Sequence, residues 1–199
     1  MPKILRLIET DRLLIRPLRL SDAAAYHEAE LISSQDMAPY WSWVNKNKPL
    51  SEIESFLKEV ESCHQKDNPV AMYFGAFTRQ DNTFTGCIWY AGSNWFVPKF
   101  EIAYWQDSRR GGQGYMTEAL NALARVTFTA YQAKRIDIKA FVNNQKSRTL
   151  AERLGFQLEA IMKNYFIDFV TNEITDGAMY ACCDIEQLPK IEFTYDITT

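Results

Sequence analysis

Histidine, cysteine and glycine are scarce in this chain of 199 residues, and each scarcity closes off some chemistry. The two histidines, His27 and His64, fall on what read as polar helix faces. A Ser-His-Asp arrangement therefore fits poorly, and solvated imidazoles are expected. The four cysteines, Cys63, Cys87, Cys182 and Cys183, have no Cys-x-x-Cys spacing, and His-Glu-x-x-His is absent. No metal site is expected, and the thiols read as reduced. No apolar run reaches the length of a membrane-spanning helix. The first nine residues carry a charge after every short apolar run, unlike a signal peptide. A net charge of −3 leaves no basic field to draw the chain onto nucleic acid or an acidic membrane. The expectation is a cytoplasmic protein with neither of those partners.

What remains is an ordinary globular balance, 47% hydrophobic and 24% charged, enough for one core. A single domain over residues 1–199 is expected, with its core at about 9–183 and a C-terminal tail at 184–199. Arg12–Leu18 reads as a strand, and Ser21 as the cap of a helix running to about Ser33. Residues 35–49 lack periodicity and hold Trp41 and Trp43, as an ordered loop would. Ser51 and Glu54 have the spacing of a capping box, followed by a helix burying Ile53, Phe56, Leu57 and Val60. Val70–Thr78 and Phe84–Gly92 read as strands joined at an Asp81-Asn82 turn, and Phe100–Gln106 as a third. A helix stripe of Met116, Ala119, Leu120, Leu123 and Thr127 comes after them. Then come a strand at Arg135–Val142, a short helix at Ser147–Leu154 stopped by Gly155, and strands at Phe156–Met162 and Ile174–Cys183. The sum is an α+β, mixed layer fold around one sheet.

The segment between the third strand and the long helix is the most informative. Gly111, Gly112 and Gly114 sit where a strand feeds a helix. A helix N-terminus carries unpaired N–H groups and a positive dipole end. Glycines let those groups close around an anion, with a pyrophosphate the natural guest. Arg109 and Arg110 add donors for phosphate oxygens. A Walker loop lacks its Gly-Lys-Ser/Thr here, and Thr117 stands where a dinucleotide fingerprint needs its third glycine. Taken alone, the loop fits a tight turn as well as a phosphate cradle.

The spacing Arg109-x-x-Gly112-x-Gly114 resembles the acetyl-CoA pyrophosphate motif of the GNAT acetyltransferase superfamily. Four more stretches resemble its ribosomal-protein N-terminal (RimJ/RimL-type) branch. These are Glu9–Leu18, Glu101–Trp105, Asn144–Ser147 and Leu154–Phe156, all in matching order. The resemblance implies the GNAT fold: a twisted, mostly antiparallel sheet of six or seven strands, flanked by about four helices, with one splayed strand pair. It implies acetyl-CoA as cofactor, with Tyr104, Trp105 and Gln106 lining the pantetheine arm through their main chain. Backbone N–H groups over Arg110, Gly111, Gly112, Gln113, Gly114 and Tyr115 would hold the pyrophosphate. Asn144 would sit near the acetyl end, although asparagine there is also a good helix cap.

Acetyl transfer needs a neutral amine, a donor for the thioester oxygen and a proton or hydrogen bond for the leaving thiolate. Ser147 matches the family's helix serine at the sulfur. Glu101 is the best candidate base, its apolar neighbours promising a raised pKa, though pairing with a nearby cation fits as well. The branch carries a base glutamate on its penultimate strand; the corresponding residue here is Phe166, with Tyr165 before it. The resemblance would put Trp41, Trp43 and Tyr165 on the acceptor side, though the two tryptophans fit equally as core anchors pinning their loop to the sheet. Arg135, Lys139, Lys146 and Arg148 cluster in sequence near the loop and could reach the cofactor's 3′-phosphate, though solvated charges at element ends are the commoner case. Three functions are compatible with this pattern: an N-terminal α-amine acetyltransferase, a small-molecule amine acetyltransferase, or a non-catalytic acyl-CoA sensor. A homodimer is left open.

Overall fold

The structure is a computed structural model that describes residues 4–64 and 72–198, with the His64 side chain also outside the description. Residues 70 and 71 of the expected second strand lie outside it too. The strands are β1 (Ile4–Thr10), β2 (Leu13–Pro17), β3 (Tyr73–Thr78), β4 (Phe84–Asn94), β5 (Lys99–Gln106), β6 (Arg135–Phe141), β7 (Gln157–Ile167), β8 (Ile174–Cys182) and β9 (Phe193–Thr198). The helices are α1 (Ala23–Met37), α2 (Leu50–His64), α3 (Tyr115–Ala130) and α4 (Gln145–Arg153). All strands form one sheet in the order β7-β8-β6-β5-β4-β3-β2-β1-β9. Every pairing is antiparallel except β5 with β6.

The sheet has nine described strands rather than six or seven. The two extra strands are β1 and β9, which pair with each other from Ile4↔Thr198 to Thr10↔Phe193. Their interrupted apolar patterns hid them. The expected tail is thus structured: Arg125 donates to the Leu188 carbonyl at 2.8 Å and Asn121 to that of Pro189 at 2.8 Å, tying the segment to α3. Two helix starts also differ. Asp22, not Ser21, organises the first, accepting from the Arg19 N–H at 2.9 Å and pairing with Arg16. The second helix begins at Leu50, so Ser51 lies inside its first turn. The first helix runs on to Met37, leaving residues 38–49 as the loop.

The sheet separates two cores. On one face α3 and α4 cover Ile88, Tyr90, Phe100 and Ile102. On the other α1 and α2 cover Cys87, Trp89 and Trp105, with Trp41 and Trp43 packed alongside. The alternation of β4 and β5 side chains between faces comes from the two-residue strand period. The four cysteines are free thiols.

The site owes its shape to a parting of strands. β5 and β6 pair only at Lys99↔Arg135, Phe100↔Ile136 and Glu101↔Asp137. Beyond Glu101, β5 keeps pairing with β4 as far as Gln106↔Gly86, and β6 keeps pairing with β8 as far as Phe141↔Gly177. The two strands therefore part into a V. A bulge in β4 between Tyr90 and Gly92 lies opposite Ile102 and Glu101, where the parting begins. Bulges bend and over-twist their strand pair, which turns β5 away from β6.

A glycine closes α4 on the far side of that V. Gly155 has φ +84, and an added Cβ would lie 2.1 Å from the Gln187 carbonyl oxygen. Gly155→Ala combines left-handed strain with a backbone clash. It is expected to cost at least about 1–2 kcal/mol, read as a lower denaturation midpoint with an unchanged slope.

Candidate active site

The V opens a cleft of about 750 Å³ that passes between the two sheet faces. Its walls come from Met37 and Trp41 on the α1 side, Tyr104 to Gln106 on β5, and Ser147 and Leu150 on α4. Residues from both cores meet here because the sheet is split.

At one end lies the glycine loop. Gly112 and Gly114 have φ +76 and +78, and Gly114 caps α3 with no side chain to occupy its N–H groups. The Arg110 and Gly111 N–H groups turn back to Asp107 and Ser108, and the helix ladder starts with Glu118 N–H to Gly114. Among the described residues, no hydrogen bond takes up the N–H groups from Gly112 to Thr117. Six successive donors at a helix N-terminus form an anion cradle.

Arg109 is placed differently from the sequence expectation. Its guanidinium binds Asp107 through Nε and Nη2 and Glu28 through Nη1 at 2.6 Å. These bonds, to Asp107 first and then Glu28, hold its pKa above the usual arginine range. Asp107 is fully buried, so Arg109 serves to neutralise it and brace the loop. From the other side Arg12 donates to the Gln113 carbonyl at 2.9 Å, pairs with Glu118 at 2.6 Å and lies 4.8 Å over the Tyr115 ring. Thr10 adds a 2.6 Å bond to Glu118. The N-terminal motif and the glycine loop are thereby one assembly.

Most of the suspected phosphate cations are also committed. Arg135 binds Glu159 and Asp137, and Arg148 binds the Tyr180 hydroxyl and the Val142 carbonyl. Lys146 and Arg153 line the cleft and have no ion pair among the described residues. Arg153 directly precedes the Leu154–Phe156 stretch but was not itself singled out in the sequence.

Near the middle of the cleft, the Asn144 side chain accepts from the Ser147 N–H at 3.1 Å, capping α4. The Ser147 hydroxyl lies 2.8 Å from the Tyr104 hydroxyl, which spans from β5 to α4. Burial pushes the Tyr104 phenol up to about 12, with the Ser147 bond opposing in part.

Glu101 sits at the closed end of the V, outside the cleft lining, with its carboxylate 2.8 Å from Lys139 Nζ. It is therefore a paired carboxylate and not one isolated in an apolar setting. Burial lowers the Lys139 ammonium, but bonds to Glu101 and Tyr165 outweigh that and leave it raised. Tyr165 lies under that ammonium, 5.5 Å from ring centre to nitrogen. Phe166 stacks on Phe141 at 4.1 Å, and Tyr40 meets Phe141 edge-on at 5.1 Å. The position that holds the branch's glutamate is thus filled by an aromatic stack.

The two loop tryptophans divide their work. Trp41 lines the cleft and packs on Trp89 at 5.2 Å. Trp43 stands behind it, with Lys48 Nζ 4.9 Å over its ring and bound to the buried Glu30. His27, expected in solvent, instead places Nε2 2.7 Å from the Lys48 carbonyl. Asp36, in the last turn of α1, and Tyr40, in the loop after it, were not singled out in the sequence because no motif or spacing marks them. Asp36 is the one carboxylate lining the cleft among the described residues, and it accepts from Ser108 Oγ at 2.5 Å.

Among the described residues no cluster of His, Cys, Asp or Glu is placed to hold a metal, and no helix is long and apolar enough to cross a membrane.

Because Arg109 neutralises buried Asp107, Arg109→Ala is expected to lower stability by about 1–3 kcal/mol. Coenzyme A affinity measured below the melting range should weaken less than stability does, because a brace and not a phosphate contact is lost, whereas loss of a phosphate-binding arginine would weaken affinity and leave stability little changed.

The sequence matches the acetyltransferase (GNAT) domain family over residues 12–157. It is 36% identical over 81 residues to the ribosomal-protein-serine acetyltransferase of Escherichia coli, covering 41% of this chain. That match spans 44% of the relative's length. The fold is similar to RimL, a ribosomal L7/L12 alpha-N-protein acetyltransferase solved in complex with coenzyme A, at TM-score 0.82 and 24% identity. That likeness covers 90% of this chain and 99% of the RimL chain. A second solved structure is the Salmonella typhimurium acetyl transferase that modifies the N-terminal serine of ribosomal protein L7/L12. It aligns at TM-score 0.74 and 25% identity over 88% of this chain and 96% of its own. With the split sheet, the glycine loop and the family match in agreement, the chain belongs to the GNAT acetyltransferase family.

Proposed function

We propose that this protein transfers the acetyl group of acetyl-coenzyme A to the α-amine of a protein N-terminus. The observation that carries the cofactor half of this reading is the run of six unpaired N–H groups from Gly112 to Thr117 at one end of the V. A pyrophosphate there directs the pantetheine arm along β5, whose edge facing β6 has no strand partner beyond Glu101. Lys146 and Arg153 on α4 add positive charge along the same wall.

The chemistry requires three things of the chain. It must hold two reactants in line, which supplies much of the rate. It must meet the charge that leaves with the sulfur, and Ser147 Oγ on the α4 wall is the donor for that. It must also accept the amine on the opposite side, where Met37, Tyr40, Trp41 and Asp36 form a wall of aromatic and acidic groups. Such a wall suits an approaching ammonium, which gives up its proton before attack. With Glu101 paired to Lys139, proton removal falls to water, with Asp36 the carboxylate nearest the route. The similar structures named as acting on ribosomal-protein α-amines or N-terminal serine support a peptide acceptor, which an open cleft through the sheet also accommodates.

The test is release of free thiol from acetyl-CoA with peptides bearing N-terminal Ser, Ala or Met, beside spermidine and aminoglycosides. Turnover of the Ser or Ala peptide is expected. Ser147→Ala should lower kcat about 10- to 100-fold with the KM for acetyl-CoA little changed. Turnover of only the small amines would move the acceptor class. Coenzyme A binding without turnover of any amine would make the protein a sensor.

A further inference from the structure

We infer that Tyr104 is a positioning residue for the leaving sulfur, acting through Ser147. The inference rests on the acetyl-transfer reading above and assigns the Tyr104 side chain a part that its main-chain place along the arm does not include.

Tyr104 belongs to the stretch of β5 that has left β6, and its side chain points to the α4 face. There its hydroxyl meets Ser147 Oγ at 2.8 Å, with the Ser147 carbonyl farther off at 3.4 Å. One of the two hydroxyls must donate to the other. A phenol is a stronger acid than an aliphatic alcohol, and with its pKa pushed up to about 12 it keeps its proton at neutral pH. The stronger acid is the better donor and the alcohol the better acceptor, so we assign the short bond from Tyr104 O–H to Ser147 Oγ, with the Ser147 carbonyl a weaker second acceptor of the same proton at 3.4 Å. That leaves the Ser147 proton unspent and, by exclusion from the Tyr104 direction, turned into the cleft that both residues line. The Ser147 N–H is fixed by Asn144, so the backbone of the first α4 turn cannot drift away from the bond.

The consequence is directional. A lone first-turn serine rotates among three staggered positions and often bonds back to its own helix. Tyr104 removes that freedom and polarises the serine O–H toward the sulfur. Hydrogen bonds in series strengthen one another in a partly desolvated site. No proton needs to reach Tyr104: the thiolate leaves, Ser147 donates a hydrogen bond to it, and solvent protonates it on release. The bond also ties the two walls of the V, so a purely mechanical clip is the competing role that the test must separate.

The experiment is a double-mutant cycle on kcat with acetyl-CoA and the best acceptor, using Tyr104→Phe, Ser147→Ala and both together. Tyr104→Phe is expected to lower kcat about tenfold with the KM for acetyl-CoA unchanged. In the Ser147→Ala background it should change kcat less than about twofold, because the serine it orients is gone. Independent, multiplying effects would overturn the inference. So would a Tyr104→Phe protein with full kcat, or one whose only defect is a raised KM for acetyl-CoA. If Ser147→Ala keeps the wild-type rate, the role given to Ser147 itself fails, which is a separate outcome. Should Tyr104→Phe fold poorly, fluorotyrosine at position 104 keeps ring and hydroxyl but lowers the phenol pKa. Donation requires the protonated phenol, so the alkaline fall of kcat should then move to lower pH. An unmoved profile would contradict the inference.

Discussion

β5 and β6 hold together for three residues and then part, and the rest of the site depends on that parting. A parallel pair buried in the middle of a sheet would normally continue its ladder, since unpaired backbone groups in an interior are costly. Here each strand is satisfied on its outer side, β5 by β4 and β6 by β8, and the inner edges are left open. The bulge at the start of the split supplies the bend. The gap lets α1 and α4, which lie on opposite faces, contribute to one cleft.

The loop at the end of the gap is held by charge from two directions so that its N–H groups stay free. Arg109 and Asp107 hold its beginning, and Arg12 with Glu118 holds its end. A loop stiffened by side chains presents its backbone without spending it. That arrangement explains why an arginine beside the glycines need not touch phosphate. It also gives the N-terminal Thr10 and Arg12 a physical role, because they anchor the loop to the β1–β2 turn.

Much of this was legible in the sequence. Apolar runs bounded by turn signals and the 3.6-residue stripe revealed the central strands and α3, and the glycine spacing placed the loop. Gly155 marked its helix end because a left-handed cap suits glycine best. What escaped had a common cause: it depended on partners far along the chain. β1 and β9 are edge strands with broken patterns, and each is defined by the other across 194 residues of sequence. The capping role of Ser21 was lost to Asp22 because Arg16 holds that carboxylate. A cation partner for Glu101 was among the expectations, but it could not be named as Lys139, which lies two residues past the last β5–β6 rung. Asp36 and Tyr40 carried no spacing signal at all, and only the fold brings them to the cleft.

The most direct measurement is backbone amide NMR during titration with coenzyme A. If the open edge of β5 and the six loop N–H groups receive the cofactor, the largest shifts fall at residues 102–106 and 112–117, with smaller ones in the first turn of α4. Saturable binding that leaves the 112–117 amides unmoved, or no binding, would contradict the cradle and with it the assignment of the split sheet as an acetyl-CoA site.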